Sequence, residues 1–220
     1  MKYNSVFDII GPIMIGPSSS HTAGAAIIGR LARSVFGRMP KIADIHLYGS
    51  FAETYKGHAT DVAIVGGLLD FDTNDERIPQ SLHLAREAGM EVAFHTEEAV
   101  PEHPNTTMIH LEDEHGSMEI IGVSIGGGKV EITELNGFKL KLNGMYPAIL
   151  VLHDDRFGVI SGVTNILTKH RVNIGHMEVS RKEKGKMALM VIEVDQNLQD
   201  SILDEIRGLE HVTQVTRMSP

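Results

Sequence analysis

The order of elements after residue 147 is the tightest constraint on how this chain folds. Ala148 to His153 is a short apolar run of strand length. Residues 157–169 then place Ile160, Val163, Ile166 and Leu167 on one helical face, the three-and-four spacing that buries one side of a helix. Val172 to Val179 reads as a strand, Lys182-Glu183-Lys184-Gly185 as a hairpin turn, and Met187 to Val194 as a second long apolar strand. Leu198, Ile202, Ile206 and Leu209 mark another amphipathic helix, and Val212 to Val215 a closing strand. The order β-α-β-β-α-β over so short a span is the split β-α-β arrangement, with both helices on one face of a four-stranded sheet.

Just upstream, Phe138, Leu140 and Leu142 alternate with Lys139 and Lys141, the pattern of a half-buried strand. Asn143-Gly144-Met145-Tyr146-Pro147 then brings turn residues together, and Asn-Gly followed by proline is strong punctuation. A domain boundary is expected there, giving residues 1–143 and a ferredoxin-like unit at 148–220. The 220-residue length suits two such units. In the first, Thr22 to Phe36 is helical, with Ile27, Ile28, Leu31 and Val35 apolar. Ile45 and Leu47 alternate with Asp44, His46 and Tyr48 as in a strand. Asp61 to Leu69 and Ser81 to Ala88 read as helices, and 91–95, 106–112, 117–125 and 129–135 as strands. Helices early and strands late favour an α+β fold, a mixed N-terminal domain before the ferredoxin-like one, over a doubly wound parallel sheet.

Composition narrows the chemistry. Twenty basic against 29 acidic side chains, a formal charge of −9, argue against a partner with a phosphate backbone, so no nucleic acid is expected. No apolar run approaches the roughly 18 to 20 residues of a spanning helix, so no membrane is expected either. Met1-Lys2-Tyr3-Asn4-Ser5 leads into no signal-peptide core, and a cytoplasmic location follows as the expectation. The chain has no cysteine, which removes disulfides, thiolate zinc sites, a cysteine nucleophile and a self-held iron–sulfur cluster. Twelve histidines point the other way, because imidazole is both the usual metal ligand and the usual base near neutral pH.

Four segments concentrate residues able to do chemistry. The first is Ile15-Gly16-Pro17-Ser18-Ser19-Ser20-His21-Thr22-Ala23-Gly24-Ala25. Serine or threonine caps a helix, since its oxygen satisfies a free backbone N–H. Three serines and a threonine exceed that need, and hydroxyls with one imidazole at a helix start suit a carboxylate or phosphate. An ordinary capped helix with a surface histidine is the alternative. In Gly57-His58-Ala59-Thr60-Asp61, Thr60 or Asp61 is positioned to cap the apolar segment that runs into Gly66-Gly67, with His58 beside it. Alone this pattern favours a structural histidine over a functional one. In His103-Pro104-Asn105-Thr106, proline holds His103 extended, which sets an imidazole and a carboxamide close together, or the segment is equally a loop entering a strand. The run Gly126-Gly127-Gly128 means either close approach by a ligand or a hairpin turn. In the C-terminal unit, Gly158 leaves N–H groups open at a helix start and Asn173 offers donor and acceptor, or both serve only to turn the chain. No His-Glu-x-x-His occurs, and His83, His95, His110, His115 and His211 look like surface or strand positions.

Taken together, Gly16 to Thr22, Gly57 to Asp61, His103 to Thr106 and the glycine run resemble the iron–sulfur-dependent L-serine dehydratases, in the beta-chain form of the two-subunit bacterial enzymes. The C-terminal unit resembles an ACT domain, and the N-terminal one is also similar to the substrate-sensing domain of some phosphoglycerate dehydrogenases. The resemblance implies a lyase that takes L-serine to pyruvate and ammonia by β-elimination. It further implies a [4Fe–4S] cluster ligated by cysteines of a separate alpha chain, since this chain has none. On that basis His21, Ser20 and Thr22 are expected to be catalytic, and Ser18, Ser19, His58, Thr60, Asp61, His103 and Asn105 to bind or shape the substrate site. No residue of this chain is expected to bind metal. Gly158 and Asn173 match positions where related modules hold an amino-acid effector. Many such modules have proline before that glycine; here Phe157 stands there, and homodimerisation through sheet edges or helices is the competing role. Two other readings stand beside this one. One is a stand-alone amino-acid-binding regulator without catalysis, and the other a histidine-rich metallohydrolase active by itself.

Overall fold

The computed structural model describes residues 11–219. Met1 to Ser5, on which the expectation about export rests, lie outside the described residues. The described chain divides into two compact units. One runs up to Asn136 and includes Lys141–Asn143; the other comprises Gly137–Leu140 and the chain from Gly144 onward. The architecture is α+β.

The larger sheet has six strands in the order β2-β1-β3-β4-β5-β6, the first five of them in the first unit and β6 divided after Leu140. Its strands are β1 (Ile42–Tyr48), β2 (Glu91–Glu97), β3 (Asn105–Asp113), β4 (Gly116–Gly126), β5 (Lys129–Leu135) and β6 (Phe138–Leu142). β1 and β2 are parallel, which requires a crossover, and β1–β3, β3–β4 and β4–β5 are antiparallel. The helices are α1 (Gly24–Phe36), α2 (Gly49–Thr54), α3 (Thr60–Leu68) and α4 (Ser81–Glu87). The last three form the crossover from β1 to β2. Strict alternation in β1 sends Ala43, Ile45 and Leu47 into the core and Asp44, His46 and Tyr48 to the other face. Ile109, Leu111 and Ile120 of the neighbouring strands join that core with Ile28 of α1, Phe51 of α2 and Ile64 and Leu68 of α3, all essentially inaccessible to solvent.

Two glycines decide how tightly the helices pack. A Cβ on Gly29 of α1 would lie 2.2 Å from the Ile64 carbonyl oxygen, and one on Gly67 of α3 would lie 2.1 Å from that of Ala26. The helix backbones therefore touch, which brings the start of α3 up against the start of α1. The helix expected from Thr22 begins earlier, as a π-helical turn over Ser19–Ala23 that runs into α1. The glycine run resolves as a hairpin. Gly126 pairs with Lys129, and Gly127 and Gly128 between them have φ of 64° and 76°, the two left-handed residues of a type I′-like turn.

The second unit has the sheet β10-β7-β9-β8, with β7 (Ala148–Asp154), β8 (Ile174–Arg181), β9 (Met187–Val194) and β10 (Val212–Met218), all pairs antiparallel. The helices α5 (Val159–Lys169) and α6 (Asp200–Arg207) complete the β-α-β-β-α-β order. Ile149, Val151, Met190, Ile192 and Val215 of the sheet form one buried cluster with Val163 and Leu167 of α5 and Ile202 and Ile206 of α6. The strand expected from Val172 starts at Ile174. Arg171 is left-handed at φ 55°, and the Val172 N–H still closes the helix end by donating to the Leu167 carbonyl.

Candidate functional site

The site grows from one turn of helix. Ser18 is extended, and its Oγ accepts the His21 N–H at 3.1 Å, a side-chain cap as its residue type requires. The Ser18 carbonyl accepts from both Thr22 N (2.9 Å) and Ala23 N (3.2 Å), and the second of these bonds widens the turn into a π-helix. Such single turns recur at functional sites because they re-aim side chains without ending the helix. Here the widening sets three polar groups side by side. Ser20 Oγ lies 3.0 Å from His21 Nδ1, and Ser18 Oγ lies 3.3 Å from Ser20 Oγ and 3.5 Å from the same nitrogen.

The other ring nitrogen, His21 Nε2, is 2.9 Å from the Oγ of Ser50. Ser50 lies in the first turn of α2, directly after β1. Its position is set by backbone approach: the Ser50 N–H donates to the Pro104 carbonyl at 2.8 Å, and Gly49 forms an isolated bridge with Asn105. A Cβ on Gly49, whose φ is 52°, would lie 2.7 Å from the Pro104 oxygen, so this exit from the strand needs glycine. His103-Pro104-Asn105 is thereby joined to the imidazole through Ser50. Asn105 itself donates from Nδ2 to the Ser124 carbonyl (3.3 Å) and from its backbone to His103 Nδ1 (3.1 Å).

His58 completes the cluster. Its ring is 4.9 Å from that of His21, centroid to centroid, and Phe51 meets the His21 ring edge-on at 5.3 Å. Thr22 Oγ1 donates to the His58 carbonyl at 2.8 Å. Thr22 is buried, so that hydroxyl ties the two segments together. Ala59 follows in the left-handed region at φ 57°, a conformation that costs a non-glycine residue about 1 to 2 kcal/mol. The expected cap on the next helix does not form. Ala59 is the N-cap residue of α3 without any side-chain bond, Thr60 is already helical, and Asp61 Oδ1 accepts only the adjacent Val62 N–H among the described residues. Side-chain capping loses because the left-handed turn leaves Thr60 pointing into the core.

Several buried polar atoms around this cluster have no partner among the described residues: His58 Nδ1, Thr60 Oγ1 and Ser124 Oγ, the last packed over Gly24. Orphan donors and acceptors cost about 1 to 3 kcal/mol each, and they accumulate where a site is kept ready for chemistry. Burial lowers the His21 pKa, and the neighbouring His58 lowers it further; burial also lowers that of His103. His21 is therefore a neutral ring at neutral pH, able to accept a proton.

The structure thus brings together Ser18, Ser20, His21, Thr22, His58, His103 and Asn105. Ser19 adjoins them in the π-turn without a hydrogen bond from its hydroxyl among the described residues, and Thr60 and Asp61 stand behind His58. Ser50 and Ser124 were missed. Neither sits in a motif, and the one signal for Ser50 is that Gly-Ser directly follows an alternating strand. No group of three His, Asp or Glu side chains among the described residues is placed to hold a metal ion. The C-terminal candidates are separate. Gly158 is left-handed at φ 92° with open space where a Cβ would stand, Phe157 is fully exposed, and Asn173 Nδ2 donates to Asp195 Oδ2 at 2.6 Å.

Comparison with known proteins finds two family matches. A family described as serine dehydratase beta chain matches residues 5–88, and one described as ACT domain matches 148–211. Over 219 residues, 100% of each chain, the sequence is 63% identical to a Bacillus subtilis (strain 168) protein named probable L-serine dehydratase, beta chain. It is 39% identical over 211 residues, 95% of each, to the L-serine dehydratase beta chain of Peptoniphilus asaccharolyticus. A D-3-phosphoglycerate dehydrogenase of Bacillus subtilis (strain 168) is 26% identical over 132 residues, which are 60% of this chain and 25% of that one.

Proposed function

The chain belongs to the L-serine dehydratase beta chains, and on that premise we propose that it supplies the substrate-binding and proton-handling half of the β-elimination of L-serine to pyruvate and ammonia. The supporting observation is the His21 imidazole, neutral and held at both nitrogens between Ser20 and Ser50. Elimination removes a proton from the serine Cα and hydroxide from Cβ. The aminoacrylate so formed tautomerises and hydrolyses to the products.

On this reading Ser18 and Ser19, at the start of α1, receive the substrate carboxylate or ammonium, with Asn105 and His103 closing the other side. His21 assists the proton transfer through Ser20, since a neutral imidazole is a competent acceptor near neutral pH. Thr22, His58, Thr60 and Asp61 hold the shape of the site. An iron–sulfur cluster does not fit the donors of this chain, which has no thiolate to offer. The Lewis acidity that a departing hydroxide needs is therefore assigned to a [4Fe–4S] cluster on a cysteine-bearing alpha chain, in a cytoplasmic hetero-oligomer. Residues 1–143 form the substrate lobe and 148–220 the ACT domain, with Gly158 and Asn173 as its effector positions. Among the described residues no helix is long and apolar enough to cross a membrane.

Anaerobic co-expression with the candidate alpha chain, followed by a pyruvate assay on L-serine, tests the proposal. Association and pyruvate formation are expected; two chains that do not associate point to the stand-alone regulator instead. His21→Ala or Ser20→Ala is expected to leave the complex intact and to lower kcat/KM at least roughly tenfold. Near-normal turnover in both variants sinks the site assignment.

A further inference from the structure

We infer that Ser50 is a positioning residue for the reaction: its hydroxyl holds the His21 ring in one orientation and in the tautomer whose hydrogen is on Nε2. This rests on the reading above, in which Ser20 passes a proton to His21. For that transfer Nδ1 must present a free lone pair, and in a neutral imidazole this requires the hydrogen to sit on Nε2. Among the described residues Ser50 Oγ is the one hydrogen-bonding partner of Nε2, at 2.9 Å. The serines on the other side are placed so that their hydrogens can run in the same direction. Ser18 Oγ accepts the His21 N–H, and its own hydrogen is within reach of Ser20 Oγ at 3.3 Å, whose hydrogen in turn reaches Nδ1 at 3.0 Å.

At Nδ1 the ring is met by Ser20 and Ser18, so Ser50 alone decides the Nε2 side among the described residues. Phe51 meets the ring edge-on and offers no acceptor, and among the described residues His58 is the titratable side chain facing it. A histidine whose tautomer is not fixed from behind divides between two forms, only one of which can take the proton. Ser50 is suited to hold the ring because its backbone is pinned twice, and the ring measurement below reads the direction of the bond it makes. Its N–H donates to Pro104, and its carbonyl accepts the Thr54 hydroxyl at 2.7 Å. The residue also lies 29 positions from His21 in sequence, so the contact depends on the strand exit and not on the serine-rich turn. Through the Pro104 contact, the His103-Pro104-Asn105 segment sets the imidazole without touching it.

The test pairs a ring measurement with a rate. In the full chain with 15N-labelled histidine, the His21 ring-nitrogen signals are expected to report the Nε2–H tautomer. In Ser50→Ala they are expected to move toward the average of the two tautomers. In complex with the alpha chain, Ser50→Ala is expected to lower kcat about two- to fivefold, up to twofold from the division between tautomers and the rest from lost ring orientation, while KM stays within about twofold. Ser50→Thr, which keeps the hydroxyl, is expected to retain both the wild-type signals and most of the rate, which separates positioning from a folding defect. An Nδ1–H tautomer in the wild type, or unchanged ring signals in Ser50→Ala, overturns the inference. Ring signals that move while turnover holds overturn the role of Ser50 in the reaction, and near-normal turnover of His21→Ala in the same complex places the fault in the role of His21 rather than in the grip of Ser50 on it.

Discussion

Gly67 in the first unit and Gly158 in the second are glycine for opposite reasons. At Gly67, and at Gly29 facing it, glycine is there because another backbone occupies the space a side chain would need. At Gly158 nothing lies within 4 Å of the missing Cβ, and glycine serves only the left-handed angle. Unsatisfied polar atoms divide in the same way. Among the described residues, five of the six with such an atom, Arg33, His58, Thr60, Ser81 and Ser124, lie in the first unit, and His153 lies in the second. The first unit accepts close contact, strain at Ala59 and orphan donors around one imidazole. The second is a regular two-layer module whose core closes on apolar side chains.

That contrast breaks if substitutions in the two units cost the same. Gly67→Ala forces a methyl against the Ala26 carbonyl and the Arg30 N–H, both backbone, and is expected to lose about 3 kcal/mol in denaturant unfolding. Gly158→Ala meets open space and is expected to lose about 1 kcal/mol, the cost of a left-handed alanine alone. Equal losses would mean that the backbone contact at Gly67 is softer than its geometry implies. Ala59→Gly runs the other way. It relieves the left-handed strain beside His58 and is expected to gain up to about 1 kcal/mol in the same assay. No gain would show that the strain is already relaxed.

The same contrast sets how much was legible in the sequence. The β7 to β10 module could be read because each element carries its own period, Leu167 and Val163 on one helix and Ile202 and Ile206 on the next. Errors there are at the ends, as at Val172, where a left-handed Arg171 delays the strand. In the first unit the serine-rich turn stood out by residue type, but its π-helical widening did not, since it depends on one backbone bond from Ala23 to Ser18. The short helix α2 left no periodic trace over its six residues. Ser50 was silent because its meaning is created by Pro104 and His21, neither of them near it in the chain. The caps expected at Thr60 and Asp61 failed for a related reason: the α1–α3 contact dictates how α3 starts, and a local preference worth about 1 kcal/mol does not override it.

The smallest expected effect distinguishes the units by pH. His21 has an ordinary value of 6.5, lowered in the fold by burial and by His58, so the unfolded chain binds the proton more readily than the folded one. The stability this ring contributes is whole above 6.5 and is lost as pH falls through its lowered folded value. His103, lowered by burial, acts in the same direction. In the second unit the clear acid-sensitive group on α6 is Glu205, held below its ordinary 4.5 by the Lys169 hydrogen bond and then by His170. Its contribution is likewise present above the unfolded value and lost on acidification, but only below 4.5. Between about pH 7.5 and pH 5.5, amide protection over residues 18–24, corrected for intrinsic exchange, is therefore expected to fall while that over 200–207 holds. His21→Gln should flatten much of the first response and leave the second alone. Parallel loss in both segments would place the acid sensitivity in the chain as a whole and remove the distinction drawn between a strained site and a closed module.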